Sequence, residues 1–234
     1  MIRMMTAVML LVSGQTTWAE SAPVLDADFE DLAVDEPIGL GGAALGQPIS
    51  VASGLAAIVR DNVMASRSLE LAWEDGSRPT VSVVRFEFLD TLEADDGELI
   101  IEFDIQPEIL SRYGVDLRES GGSTRIFGSI LLLANGSIRA GDIGNVVADA
   151  TYSAGELVSV RWVHDLSKRV HSLEIKGVEA FTDRPHPVAD RGIGSILFSL
   201  QANTADETTL HIDNLRVTWQ PDGIFSDRFA EDFE

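Results

Sequence analysis

Apolar and polar residues alternate along most of this chain with a period of two. In "GELIIEFDI" (97–105), Leu99, Ile101, Phe103 and Ile105 fall on one face, and Glu98, Ile100, Glu102 and Asp104 on the other. Successive side chains of a strand point to opposite faces, so the pattern predicts a half-buried strand. The runs "SLELAW" (68–73), "VSVVRFEFL" (81–89), "ELVSVRWVHDL" (156–166), "KRVHSLEIKG" (168–177) and "GSILFSLQA" (194–202) repeat it, and "LDADFEDL" (25–32) alternates acid with apolar around Phe29. The run "LHIDNLRVTW" (210–219) breaks the rule in its middle. Leu210 and Ile212 share one phase, Leu215, Val217 and Trp219 the opposite one, with Asp213-Asn214 at the break. One extra residue in a strand moves every later side chain to the other face, so the break predicts a β-bulge.

Turn residues separate the runs. Asn135-Gly136 lies between two apolar segments and both residues tolerate positive φ, which predicts a hairpin. "EDGSRP" (74–79) and Asp165 to Lys168 mark further turns. Helix signals are scarce. "SGLAAIVRDNVM" (53–64) is the best candidate, although Ile58, Val59 and Val63 suit a strand equally well. Many short strands without long crossovers predict an all-β antiparallel sandwich of the jelly-roll kind.

Composition adds an address. Arg3 precedes the apolar run "MMTAVMLLV", a polar stretch and Ala19, the order of a secretory signal peptide spanning 1–19. The expected division is that signal, a sandwich domain over 20–219 and a tail over 220–234, in a protein secreted by a bacterium or held in its periplasm or at its surface. No segment is long and apolar enough to span a bilayer as a helix. The chain has no cysteine, which removes disulfides, thiol catalysis and cysteine-bound metals. The formal net charge of −21 excludes nucleic acid as a natural partner and favours divalent cations.

Six phrases in order, "DFEDLAVDEPIG", "ASRSLELAW", "GELIIEFDIQPE", "LLLANGSIRAG", "YSAGELVSVRWVHDLSKRVHSLEIKG" and "LHIDNLRVTW", together resemble the concanavalin A-like lectin/glucanase superfamily, including laminin G-like modules and carbohydrate-binding jelly rolls. The resemblance implies a structural Ca²⁺ held by the acid of the closing "IDN" phrase and by an early "FE" phrase. Those positions are Asp213 and Glu30, with Asp28 as a neighbouring ligand. Calcium takes several oxygen ligands, and such a clip would tie the first strand to the last in a chain without disulfides. The plain alternative is that Asp213-Asn214 blunts an exposed strand edge.

The same resemblance raises catalysis. Family 16 glycoside hydrolases carry E-x-D-x-E or E-x-D-x-x-E on one strand. Glu102 and Asp104 match, but Gln106 and Pro107 occupy the positions of the last acid, and the next acid is Glu108. Hydrolysis of a glycosidic bond needs two suitably spaced carboxyl groups, so Glu102 and Asp104 read as acids on the solvent face and no catalytic residue is assigned. His164, His171, His186 and His211 lack close metal-ligand spacing. The first two flank one hairpin, and polarity places them on the surface. Sugar platforms are few at 7% aromatic residues. Trp73 and Tyr113, beside expected loops, are the exposed candidates, whereas Trp162 and Trp219 read as core. Phe225, Phe229 and Phe233 recur every four residues in the acidic tail. The expectation is an exported, non-catalytic sandwich that binds a glycan, with a polysaccharide hydrolase or lyase and a purely structural or adhesive surface protein as alternatives.

Overall fold

The computed structural model describes residues 22–74, 81–92, 96–120, 125–141, 146–186, 192–201 and 208–221. The proposed signal peptide, most of the "EDGSRP" turn and the tail phenylalanines lie outside them. Two antiparallel sheets face each other. The first has the order β13 (Val178–Pro185), β12 (Val170–Ile175), β11 (Val158–Asp165), β6 (Glu98–Pro107), β15 (Thr209–Gln220), β4 (Ser68–Trp73), β3 (Leu55–Arg60), with β1 (Ala22–Ala27) also pairing β15. The second has the order β10 (Val146–Thr151), β9 (Ser137–Gly141), β8 (Ile126–Leu132), β7 (Arg112–Glu119), β14 (Ile193–Gln201), β5 (Val81–Leu92), β2 (Ser50–Val51). The only helical element among the described residues is a 3₁₀ turn at Ala43–Leu45, and no helix among them is long and apolar enough to cross a membrane.

The alternating positions meet between the sheets. Leu99, Ile101, Phe103 and Ile105 of β6 are buried, as are Val84 and Phe86 of β5 and Ile196, Phe198 and Leu200 of β14. Phe103 and Phe198 meet edge-to-face across the layers at 5.3 Å, and within the second sheet Phe198 meets Phe86 edge-to-face at 6.2 Å. Trp162 is fully buried, as expected, and lies over Gly128 of β8. A Cβ there would sit 2.6 Å from the indole, so the tryptophan requires a glycine opposite it.

Several local expectations change. Residues 55–60 form a strand, not a helix: Leu55, Ala57 and Val59 alternate inward, and the segment pairs residue by residue with β4. The period-two burial of these residues decides against the helix. The Asn135-Gly136 hairpin exists, but only Gly136 adopts positive φ (80°). The Gly136 N–H donates to the Leu133 carbonyl at 2.9 Å and the Leu133 N–H to that of Ser137 at 2.9 Å, closing a three-residue loop with a glycine bulge. At the N-terminal end, β1 stops at Ala27. Phe29, at φ 61°, turns the chain away while its ring stays buried against Phe86. Alternation therefore does not continue through Glu30.

Candidate functional site

The phase break in β15 is a bulge. Asp213 pairs with Asp104 and Arg216 with Glu102, so three steps on β15 match two on β6, and Asn214 takes φ 51° to absorb the extra residue. Leu210 and Ile212 before it, and Leu215 and Val217 after it, all reach the core. β15 is not an edge. Its second side pairs with β4 up to Ile212 and with β1 from Leu215, and the bulge fills the seam between those partners. Blunting a free edge is thereby excluded as its role.

At the seam Asp213 points to the outer face of the sheet yet is only 1% exposed. The loop joining β3 to β4 covers it. The Ser66 hydroxyl donates to Asp213 Oδ2, and the Asn214 N–H donates to Oδ1 at 2.7 Å. Burial raises the Asp213 carboxyl above its ordinary value. Asp104 and Glu30 push the same way, against the two donors. The same loop holds Glu30: the Arg67 N–H donates to Glu30 Oε1 at 2.9 Å, and the Arg67 guanidinium bonds the carbonyls of Glu30 and, at 3.0 Å, of Leu32. Asp28 accepts the Glu30 N–H at 3.2 Å and remains exposed.

Glu30 and Asp213 thus converge on consecutive loop residues, Arg67 and Ser66, while Asp28 stands one step further out. Among the described residues no cationic side chain bonds the Asp213 carboxylate, and its charged neighbours are acids. Ser66 Oγ also lies 3.4 Å from the Met64 carbonyl. Asp213 is thus a buried carboxyl held by two neutral donors, with the carboxylates of Asp104 and Glu30 near it. Sequence alone did not point to Ser66, Met64 or Arg67, because their loop meets the bulge only through the pairing of β4 with β15, far along the chain.

Beyond the bulge the outer face carries a row of charges. Asp26, Arg216, Glu102, Arg161, Glu174 and Glu179 are successive partners across β1, β15, β6, β11, β12 and β13. Glu102 lies 3.4 Å from Arg161, both side chains about half exposed. Cross-strand pairs of opposite charge favour one another modestly, and exposed ones contribute little to stability. Their effect here is to align the side chains. Asp104 accepts the Asn214 side-chain N–H at 2.8 Å. Glu102, Asp104, Ser159, Arg161, Glu174 and Asn214 line an open depression of about 240 Å³. The solvent-face position expected for Glu102 and Asp104 is what the fold shows. Glu102 has an arginine opposite it on each neighbouring strand, Arg161 on β11 and Arg216 on β15.

The aromatic candidates fare differently. Tyr113 is not in a loop. It belongs to β7 and is fully buried, its hydroxyl 3.0 Å from the Ile109 carbonyl and 3.2 Å from that of Thr209, and burial raises its pKa well above normal. It cannot stack on a sugar. Trp73, at the end of β4, is half-buried and packs against the core. Trp219 is likewise partly buried. The histidines are also misplaced by polarity alone. His164 and His171 are cross-strand partners, but both are buried, with ring centroids 5.2 Å apart, and His186 packs 5.5 Å from His164.

No protein-family profile matches the chain, and no curated protein sequence matches it. Solved structures do match in fold. A sialidase superposes with a TM-score of 0.55 at 14% identity, over 71% of this chain and 16% of its own. The carbohydrate esterase vb_24B_21 from Shiga toxin-encoding bacteriophage phi24B gives 0.55 at 14% identity, over 86% of this chain and all of its own. Lectin I-B4 of Griffonia simplicifolia, in its metal-free form, gives 0.51 at 10% identity, over 74% of this chain and 93% of its own. The chain spans about a sixth of the sialidase it matches. At these identities the likeness is one of fold.

Proposed function

We propose that this protein is an exported, non-catalytic glycan-binding sandwich of the concanavalin A-like type, with a structural Ca²⁺ between Glu30 and Asp213. The observation that carries the reading is the depression lined by Glu102, Asp104, Ser159, Arg161, Glu174 and Asn214. It concentrates fixed hydrogen-bonding side chains on a rigid sheet, the arrangement that orients a polyhydroxylated ligand. The lectin, sialidase and carbohydrate esterase that share the fold support the ligand class. Asn214 joins the two parts: it follows Asp213 in the bulge and bonds Asp104 in the depression. A cation on Asp213 would hold that bulge and, through it, the lining of the depression.

The absence of a strand partner acid for Glu102 at position 106 separates this reading from a family 16-type hydrolase. The deciding experiment is a glycan array probed with wild type and Arg161→Ala, each in calcium and in EDTA. Binding by wild type that weakens in the variant and in EDTA is expected. Array binding unchanged by Arg161→Ala moves the site elsewhere, and no binding to any glycan favours the structural or adhesive role.

A further inference from the structure

The outer face of the first sheet carries a second cluster of ligating groups, separate from the calcium candidate. Glu70 of β4, His211 of β15 and Gln106 of β6 are successive cross-strand partners. Glu108 follows β6, and its N–H still bonds the Thr209 carbonyl at 3.1 Å, which returns its side chain toward His211. His211 Nε2 lies 3.0 Å from Glu108 Oε1, and one ligand atom from each of Glu70, Glu108 and His211 falls within 4.8 Å of the others.

We infer that Glu70, Glu108 and His211 form a second metal site, for a zinc-like divalent transition ion. Three observations lead there. First, His211 is fully buried although it points to the outer face, so its ring is held in place beneath neighbouring side chains. A fixed imidazole from a central strand is a preorganised ligand. Second, the local charge is unbalanced. Arg60 bonds Asp35 at 2.7 Å and Glu70 Oε1 at 2.8 and 3.0 Å, so one guanidinium serves two acids, while among the described residues the Glu108 carboxylate bonds only the imidazole. Asp35, Glu70 and Glu108 against Arg60 leave two negative charges, which a divalent ion balances. Third, Arg60 engages only Oε1 of Glu70 among the described residues, so Oε2 remains to bind.

One imidazole nitrogen and two carboxylates select a borderline transition ion over calcium, whose ligands are all oxygen. Three protein ligands with Glu108 about half exposed leave a fourth position open to water, the pattern of an accessible rather than a sealed zinc site. Among the described residues His211 Nδ1 has no hydrogen-bond partner. This holds with or without a metal on Nε2 and therefore does not discriminate. The reading is independent of glycan binding and of the calcium clip.

The test is isothermal titration of the untagged, chelator-stripped protein with ZnCl₂ in saturating calcium. The expected result is one zinc per chain, lost by about tenfold or more in affinity in Glu108→Gln and in His211→Gln. Glu108 is exposed, so its variant should keep the wild-type melting profile even if the histidine variant does not fold. Asp213→Asn should leave zinc affinity unchanged. If no stoichiometric zinc binds, or if both variants bind as wild type does, the cluster is a hydrogen-bonded ion pair and nothing more.

Discussion

Acid should weaken this protein through its buried histidines. His164 and His171 lie between the sheets with Trp162, Phe127, Phe181 and His186. The Trp162 indole N–H donates to His171 Nδ1 at 3.0 Å, and among the described residues no carboxylate bonds either ring. Burial, with His186 and Arg184 nearby pushing the same way, lowers His171 from 6.5 to about 4. Burial lowers His164 as well, with His171 and His186 adding to it. A folded-state value below the unfolded one leaves stability untouched above about pH 6.5 and removes it as pH falls toward the folded value, because the unfolded chain binds the proton first. For His171 the full loss is about 3 kcal/mol, reached near pH 4, and His164 adds to it in the same direction. A domain stable by about 5–15 kcal/mol will show such a loss clearly. Urea unfolding between about pH 7.5 and 4.5 should therefore give a falling ΔG, starting above the range where ordinary carboxylates titrate. An NMR titration of the His171 ring in the folded protein checks the cause directly. A ring that titrates near its ordinary value, or a stability flat across that window, refutes the argument.

Three further outcomes follow from the structure. Calcium at about a hundredfold over its dissociation constant should stabilise the fold by about 2.7 kcal/mol, a rise in Tm of roughly 5–10 °C that EDTA reverses and Asp213→Ala abolishes; identical melting in calcium and EDTA would sink the clip. Laminarin, agarose and alginate should remain intact with wild type and Glu102→Gln alike, measured as reducing ends; turnover present in wild type and absent in the variant would make Glu102 catalytic. Gly128→Ala should cost about 1–3 kcal/mol in urea unfolding, since the new methyl meets Trp162, and an unchanged midpoint would contradict that packing.

The alternation of Leu99, Ile101, Phe103 and Ile105 determined a half-buried strand by itself, because side-chain direction in a strand depends only on local backbone geometry. The inversion between Ile212 and Leu215 determined the bulge for the same reason. What lay around that bulge was decided elsewhere. Asp213 is buried because a loop more than a hundred residues earlier in the chain folds over it, and no local pattern carries that contact. Tyr113 looked exposed beside glycine and charged residues, yet its strand pairs with β8 and β14, which turn the ring inward. The histidines misled in the same way. Polarity sets a preference for water, but the cross-strand register of His164 with His171, and the closing of the second sheet over them, decided their burial. Glu70, Glu108 and His211 are far apart in sequence, and only the order β4, β15, β6 makes them neighbours. Periodicity is written into a few consecutive residues, whereas strand order is set by the packing of the whole core, and the candidate sites depend on strand order.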